Sequence, residues 1–378
     1  MKKLLATLLS AALLLSLCAA CGAPADNQEP APSASAPAGP ANSTPAAPVD
    51  GDALAGLEPR ELIVASVRGE GPDEALIAYT DRITERTGGK ITFSFFFGGS
   101  LAKANEAVDA LQNGVCDIMM VNVSNFENLF PLNATVLAVP FMGMNTQTTE
   151  VYPELAAKYP ELSQEFEAQN LKLLSYSMTA PYNLGISSDK EIRVPSDLAG
   201  TKVICLQENI MNFLSAQNAA PVQVGFADFY TSIQGGVAQG IIQNGGPINT
   251  QGIYDLLNQY LIFGEDGGLY MELVTYCMNN DVWNSLPDAV KTIFEEEAVE
   301  FHTHDQRVLN ENIRILEENA AAQSSRYWEM TEEEMAPWKE AMAPFIQEKI
   351  DEISAKPGCS NFHAIYDDAL AMIADAKK

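Results

Sequence analysis

The stretch Ile192–Asn244 reads IRVPSDLAGTKVICLQENIMNFLSAQNAAPVQVGFADFYTSIQGGVAQGIIQN. It orders a strand, a helix, a second strand, a second helix and a polar strand end, the succession from which an α/β lobe is built. Upstream, Leu62 to Val67 is a short apolar strand and Arg68 to Pro72 a loop. A helix follows with Leu76, Tyr79 and Ile83 on one face and a stop at Gly88 and Gly89. Ile91 to Phe97 is a second strand. Ser100 is then expected to cap a helix carrying Leu101, Ala104, Ala107 and Leu111, ended by Gly114. Val115 to Val123 is nearly continuous in apolar character, as in a strand covered on both faces. Strands alternating with helices predict a mostly parallel sheet with ligands at the carboxyl ends of the strands. Those ends are Val67-Arg68, Gly98-Gly99 and Asn122 to Ser124.

Downstream, Tyr182 to Ser187 opens a second unit that contains the quoted stretch, and Leu269 to Met278 is a further strand. Pro287, with Ser285 nearby as cap, begins a helical pattern that runs to about Ser325. Unbroken, such a helix would span roughly 58 Å at 1.5 Å per residue and would have to bridge two lobes. Two helices broken near Ala320 are the alternative.

The N-terminus carries Lys2 and Lys3, an apolar run from Leu4 to Leu17, and then Cys18-Ala-Ala-Cys21-Gly22. The run has the length of a signal-peptide core and falls short of the ~20 residues of a membrane span. Small residues directly before a cysteine resemble a bacterial lipobox, with Cys21 the better acceptor. Residues 1–20 are therefore expected to be a signal peptide, with an ordinary cleaved signal as the alternative. Residues 21–57, rich in Ala, Pro and Ser, are expected to form a lipidated, disordered tether. This places the folded part outside the cytoplasmic membrane, lipid-anchored to it.

The net charge is −28, and −30 once Lys2 and Lys3 leave with the signal, which argues against nucleic acid and anionic lipid as partners. Cys116, Cys205, Cys277 and Cys359 show no C-x-x-C spacing and allow three pairings; buried free thiols are the plain reading of the first three. Ser100-Leu-Ala-Lys103 has the S-x-x-K spacing of some acyl enzymes, and Ser187 to Lys190 repeats it, but the companion K-T-G is absent, as is G-x-S-x-G. His302 and His304 lie about 200° apart on a helix and cannot share a ligand face; they are read as solvated helix positions. No catalytic residue, metal or cofactor is expected. What remains is a polar set at strand ends and loop starts: Arg68, Glu70, Asn122, Asn183, Gln207, Gln223, Gln239, Gln243 and Asn244, with Phe226 and Tyr230 nearby. Placed polar groups with aromatic walls suit a small-molecule cleft.

Several segments together resemble the solute-binding proteins of tripartite ATP-independent periplasmic (TRAP) transporters. They are FGGSL at Phe97–Leu101, ALQNGVCD at Ala110–Asp117, LAVPF at Leu137–Phe141, VPSDLAGTKV at Val194–Val203, FADFYTSIQGGVAQG at Phe226–Gly240 and WNSLPD at Trp283–Asp288. The resemblance covers roughly Leu62 to Ile373. It implies an α/β, two-lobe periplasmic-binding-protein-like fold with crossing strands and a long helix spanning both lobes. Lobe I is then expected at 58–181 plus 266–305, and lobe II with C-terminal helices at 182–265 plus 306–378. It further implies a monomeric, non-enzymatic protein that closes around a solute and delivers it to TRAP membrane permease subunits. A ligand-presenting sensor lipoprotein and an ATP-driven importer's binding protein are the alternatives.

The chain departs from that family at the solute clamp. The position matching the usual clamp arginine is Ile204, a second arginine position falls at Asn183, and the family's cleft asparagine maps to Gln243, with Asn244 adjacent. Phe226 falls at an aromatic wall position. A carboxylate desolvated without a cationic partner costs several kcal/mol, so the expected solute is a neutral or weakly charged polar molecule, with Arg68 the one cation that would keep an acid in play. The expected ligand-binding residues are Arg68, Glu70, Asn122, Asn183, Ile204, Gln207, Phe226, Gln243 and Asn244.

Overall fold

The structure, a computed structural model, describes residue 54 and residues 56–68, 73–145, 148–264, 268–322 and 327–378. The expected signal peptide, Cys21, nearly all of the expected tether, and Glu70 lie outside these residues. The end of the expected tether is packed, since Leu54 and Leu57 lie against the apolar cluster around Tyr79 and Phe294.

Eleven strands among the described residues form two sheets. The strands are β1 (Arg60–Ala65), β2 (Ile91–Phe96), β3 (Ile118–Asn122), β4 (Leu171–Met178), β5 (Tyr182–Ile186), β6 (Lys202–Ile204), β7 (Ala220–Val222), β8 (Gly240–Asn244), β9 (Gln259–Ile262), β10 (Leu273–Asn279) and β11 (Tyr327–Glu329). The first sheet has the order β2-β1-β3-β10-β4 and the second β11-β9-β5-β8-β6-β7. In the first, only β10 runs against the others; in the second, only β5 does. Each reversed strand is the one that follows directly on a strand of the other sheet, β5 on β4 and β10 on β9, with no helix between them among the described residues. The expected parallel character holds for the rest. The quoted stretch supplies β6, β7 and β8, with helices Glu208–Ala216 and Phe229–Gln234 between them.

Period-2 alternation divides each strand between two apolar layers. On β3, Met119 and Val121 join the cluster containing Phe130 and Phe166, while Ile118 joins Leu62, Tyr79 and Tyr276 on the opposite face. On β6, Val203 faces Phe213 and Trp338, while Ile204 faces Phe229 and Ile241. The helix expected from Ser100 begins later. A 3-10 turn at Ala104–Glu106 leads into Ala107–Gln112, and the Glu106 carboxylate, not Ser100, receives the Lys103 N–H at 2.9 Å.

Two helices tie the sheets together. Asp288–Ala322 is unbroken over 35 residues, roughly 52 Å at 1.5 Å per residue. It packs on the helix Glu74–Arg86 and β4 of the first unit and on the helix Gly245–Thr250 of the second. Buried Glu297 receives Arg82 Nε at 2.6 Å and Arg86 Nη1 at 2.9 Å, which locks it to the first unit. His302 is buried rather than solvated: its ring nitrogens lie 3.0 Å from the Tyr176 carbonyl and 2.9 Å from Glu150. The helix Glu332–Ser354 starts on the second sheet through Met335, Trp338 and Met342 and ends in the first sheet's cluster through Ile350 and Ile353. The division drawn from sequence therefore shifts at the C-terminus. Phe362, Ile365, Ala369 and Ile373 of the last helix, Phe362–Ala376, pack with the first sheet, not the second.

Cys116, Cys205, Cys277 and Cys359 are free and buried. Burial pushes the thiols of Cys116, Cys205 and Cys277 up to about 12. Because the folded values lie above the unfolded ones, this contribution to stability is intact below pH ~9 and lost as pH rises through the folded values. Thermal unfolding is expected to be unchanged between pH 7 and 8 and to move to clearly lower temperature at pH 10.5. An unaltered transition there, or iodoacetamide labelling of these three cysteines in the native protein at pH 8, would contradict the buried-thiol account.

Candidate functional site

The two direct crossings between the sheets, residues 179–181 and 268–272, run side by side. Thr179 N donates to Glu272 O at 2.8 Å, Tyr182 N to Tyr270 O at 2.9 Å and Leu269 N to Tyr182 O at 2.8 Å. The Glu272 N–H is also received by Thr179 Oγ1 at 2.9 Å. The backbones come so close at Gly268 (φ +62°) that a Cβ there would lie 2.7 Å from Tyr182 O and 2.8 Å from Asn183 Oδ1. Glycine is needed at this point on both counts.

This junction fixes a polar node. Glu272, 7% exposed, directs its carboxylate to three neutral donors. Asn122 Nδ2 from the end of β3 donates to Oε2 at 2.9 Å, the Tyr182 hydroxyl to Oε2 at 2.8 Å and Gln207 Nε2, just after β6, to Oε1 at 3.1 Å. One carboxylate thus gathers a donor from the end of β3 in the first sheet and two from the second, one at the start of β5 and one just after β6. Burial first, and then the neighbouring Glu272 carboxylate, push the Tyr182 phenol well above its ordinary value, so it remains a donor. Tyr182 and Tyr270 stack with centroids 4.3 Å apart.

Of the residues expected at the site, Asn122 and Gln207 are brought together here. Asn244 caps the short helix Gly245–Thr250 by receiving the Gly246 N–H at 3.1 Å, and its strand partner across the sheet is Tyr182. Two other candidates have structural duties. Asn183 is buried, and its Oδ1 receives the Phe263 N–H at 3.0 Å. Gln243 is buried too, with Oε1 receiving the Asn244 N–H at 2.8 Å. Ile204 is enclosed in the cluster with Phe229 and Ile241. Phe226 stands apart from the node, 58% exposed beside Phe229.

Arg68 is not a spare cation. Its Nη1 lies 3.2 Å from the Tyr276 hydroxyl and 3.9 Å from Asp73, and that hydroxyl donates to Asp305 at 3.2 Å. Two carboxylates already flank it. The lysines of both S-x-x-K spacings bind backbone carbonyls, Lys103 to Gly99 at 2.9 Å and Lys190 to Ala199 at 2.6 Å. Glu272 was missed in the sequence because it is a single acid inside the apolar run Leu269 to Met278. That isolation was its one visible signal.

Known proteins resemble this chain in sequence and fold. The family model described as bacterial extracellular solute-binding protein, family 7, matches residues 73–352. The C4-dicarboxylate-binding periplasmic protein DctP of Rhodobacter capsulatus is 22% identical over 275 residues, 71% of this chain and 80% of that protein. The C4-dicarboxylate-binding protein DctB of Bacillus subtilis is 22% identical over 277 residues, 71% of this chain and 76% of that protein. Among solved structures, a marine metagenome TRAP solute-binding protein in complex with 3-hydroxybenzoate superposes with a TM-score of 0.73 at 17% identity, covering 85% of this chain and all of that one. A TRAP periplasmic solute-binding protein of Roseobacter denitrificans with bound β-D-glucuronate gives 0.68 at 20% identity, covering 83% of this chain and 99% of that one. The two-sheet architecture is therefore that of the TRAP periplasmic binding proteins.

Tyr182→Phe removes one of three donors from a buried carboxylate and is expected to destabilise the protein by about 1–3 kcal/mol. Tyr230→Phe, away from the node, serves as the control. Urea unfolding midpoints distinguish the two. Equal midpoints would show that the Tyr182 bond does not support the junction.

Proposed function

The chain belongs to family 7 of the bacterial extracellular solute-binding proteins, and from that premise we propose that it captures a small polar solute between its two sheets and delivers it to a TRAP-type membrane permease. The observation that carries this reading is the Glu272 node, where polar groups from both units meet at the strands joining them. Ligands of two-lobed binders sit at such a junction, because closing the lobes then buries the solute from both sides. Domain motion is a population shift set by the solute's differential affinity for the closed state. The role is binding, not catalysis.

Relatives are named for acids: C4-dicarboxylates, glucuronate and 3-hydroxybenzoate. For this chain we propose a solute other than a simple carboxylate. Ile204 and Asn183 stand where arginines would clamp an acid, Arg68 is already flanked by Asp73 and reaches Asp305 through Tyr276, and the node itself presents a carboxylate. A second carboxylate brought there would meet like charge at low dielectric. The proposal includes a lipid anchor at Cys21, which the spacing after the apolar leader supports.

A thermal-shift screen of sugars, nucleosides, amines and dicarboxylates tests the solute reading. A ligand at about 100 times its Kd adds about 2.7 kcal/mol, a rise of roughly 4 °C for a folded part of this size. Non-carboxylate members are expected to give that rise, and succinate is not. Tight succinate binding abolished by Arg68→Ala would overturn the ligand class. For the anchor, cells expressing the full chain are expected to incorporate labelled palmitate and to lose it in Cys21→Ser. Label retained in that variant would exclude Cys21.

A further inference from the structure

The interlobe node holds a buried anion where a binder of acids needs cations, and we infer that the solute carries a protonated amine that pairs with Glu272. This rests on the solute-binding reading above and names the chemistry of that same site. The Glu272 carboxylate is nearly enclosed, and its described partners are the neutral amides of Asn122 and Gln207 and the Tyr182 hydroxyl. No ion pair to Glu272 forms among the described residues. Neutral hydrogen bonds satisfy the oxygens but leave the charge uncompensated, and buried charges are ordinarily paired. A carboxylate offers about four lone-pair positions; three are taken here, with Oε1 holding the single donor Gln207.

Arg68, the cation expected at the site, hydrogen-bonds to Tyr276 and faces Asp73 at 3.9 Å rather than pairing with Glu272. The two positions where related clamps would place arginine carry Ile204 and Asn183, and both side chains are enclosed in the second sheet. Among the described residues no side chain supplies the missing positive charge, and a bound solute would. A primary ammonium fits, because it is compact and brings three donors and a full charge. The stacked rings of Tyr182 and Tyr270 beside the carboxylate add faces that attract a cation. A solute bearing only carboxylates would meet repulsion in the same place, and a neutral alcohol would leave Glu272 unpaired.

Matched probes separate these cases in calorimetry and thermal shift at pH 7 with the mature chain. One set is 1,4-diaminobutane, 1,4-butanediol and succinate; the other is glucosamine, glucose and glucuronate. At least one amine is expected to bind roughly tenfold or more tightly than its alcohol and acid counterparts, and Glu272→Gln, which keeps the side chain's size, is expected to lose that preference. The wild-type ranking tests the inference even if the variant does not fold. Equal or tighter binding of the alcohol or acid members, amine binding unaltered in Glu272→Gln, or silence of both amines would each overturn it. The solute-binding reading falls only if the wider screen is silent as well.

Discussion

The antiparallel pairing of two short crossings, Thr179 to Tyr182 against Leu269 to Glu272, is the constraint on which the rest of the molecule depends. It explains the one odd strand in each sheet. A chain that passes directly from one sheet to the other enters against the prevailing direction, so β5 and β10 are the reversed strands. The pairing also requires Gly268, where any side chain would strike Tyr182 and Asn183. Relative motion of the two units has to be absorbed by these few residues and by the two helices laid across them.

Those helices divide the work differently. Asp288–Ala322 is continuous and is gripped by Arg82 and Arg86 through buried Glu297, so it acts as a strut fixed to the first unit. Glu332–Ser354 passes from the second sheet's core into the first sheet's and carries Pro337 and Pro344 within it. Each proline removes a backbone N–H and crowds the preceding turn, which favours bending. Lys349 and Lys356 converge on Glu127 at 2.7 Å and pin its far end to the first unit.

Charge placement gives the junction its chemistry. Arg68 is flanked by Asp73 and Asp305, and among the described residues Glu272 meets only neutral donors. The node therefore leans negative in a chain that is already strongly acidic.

The sequence by itself determined what local periodicity can encode. The strand and helix alternation of Ile192–Asn244, the long helix after Pro287, the family-like segments and the absence of arginine at Ile204 and Asn183 are all legible there, because periods of 2 and 3.6 and turn residues act over a few positions. Leu171–Met178, a mixed run, became the edge strand that leads into the second sheet only through its pairing with β10. The node was decided by tertiary structure. Its donors lie 150, 90 and 65 residues from Glu272, and no local pattern carries separations of that size. The same holds for Asn183 and Gln243, whose amides turned inward to satisfy backbone N–H groups in the second sheet. It holds also for the last helix, which went to the first sheet because Phe362 and Ile365 found their apolar partners there.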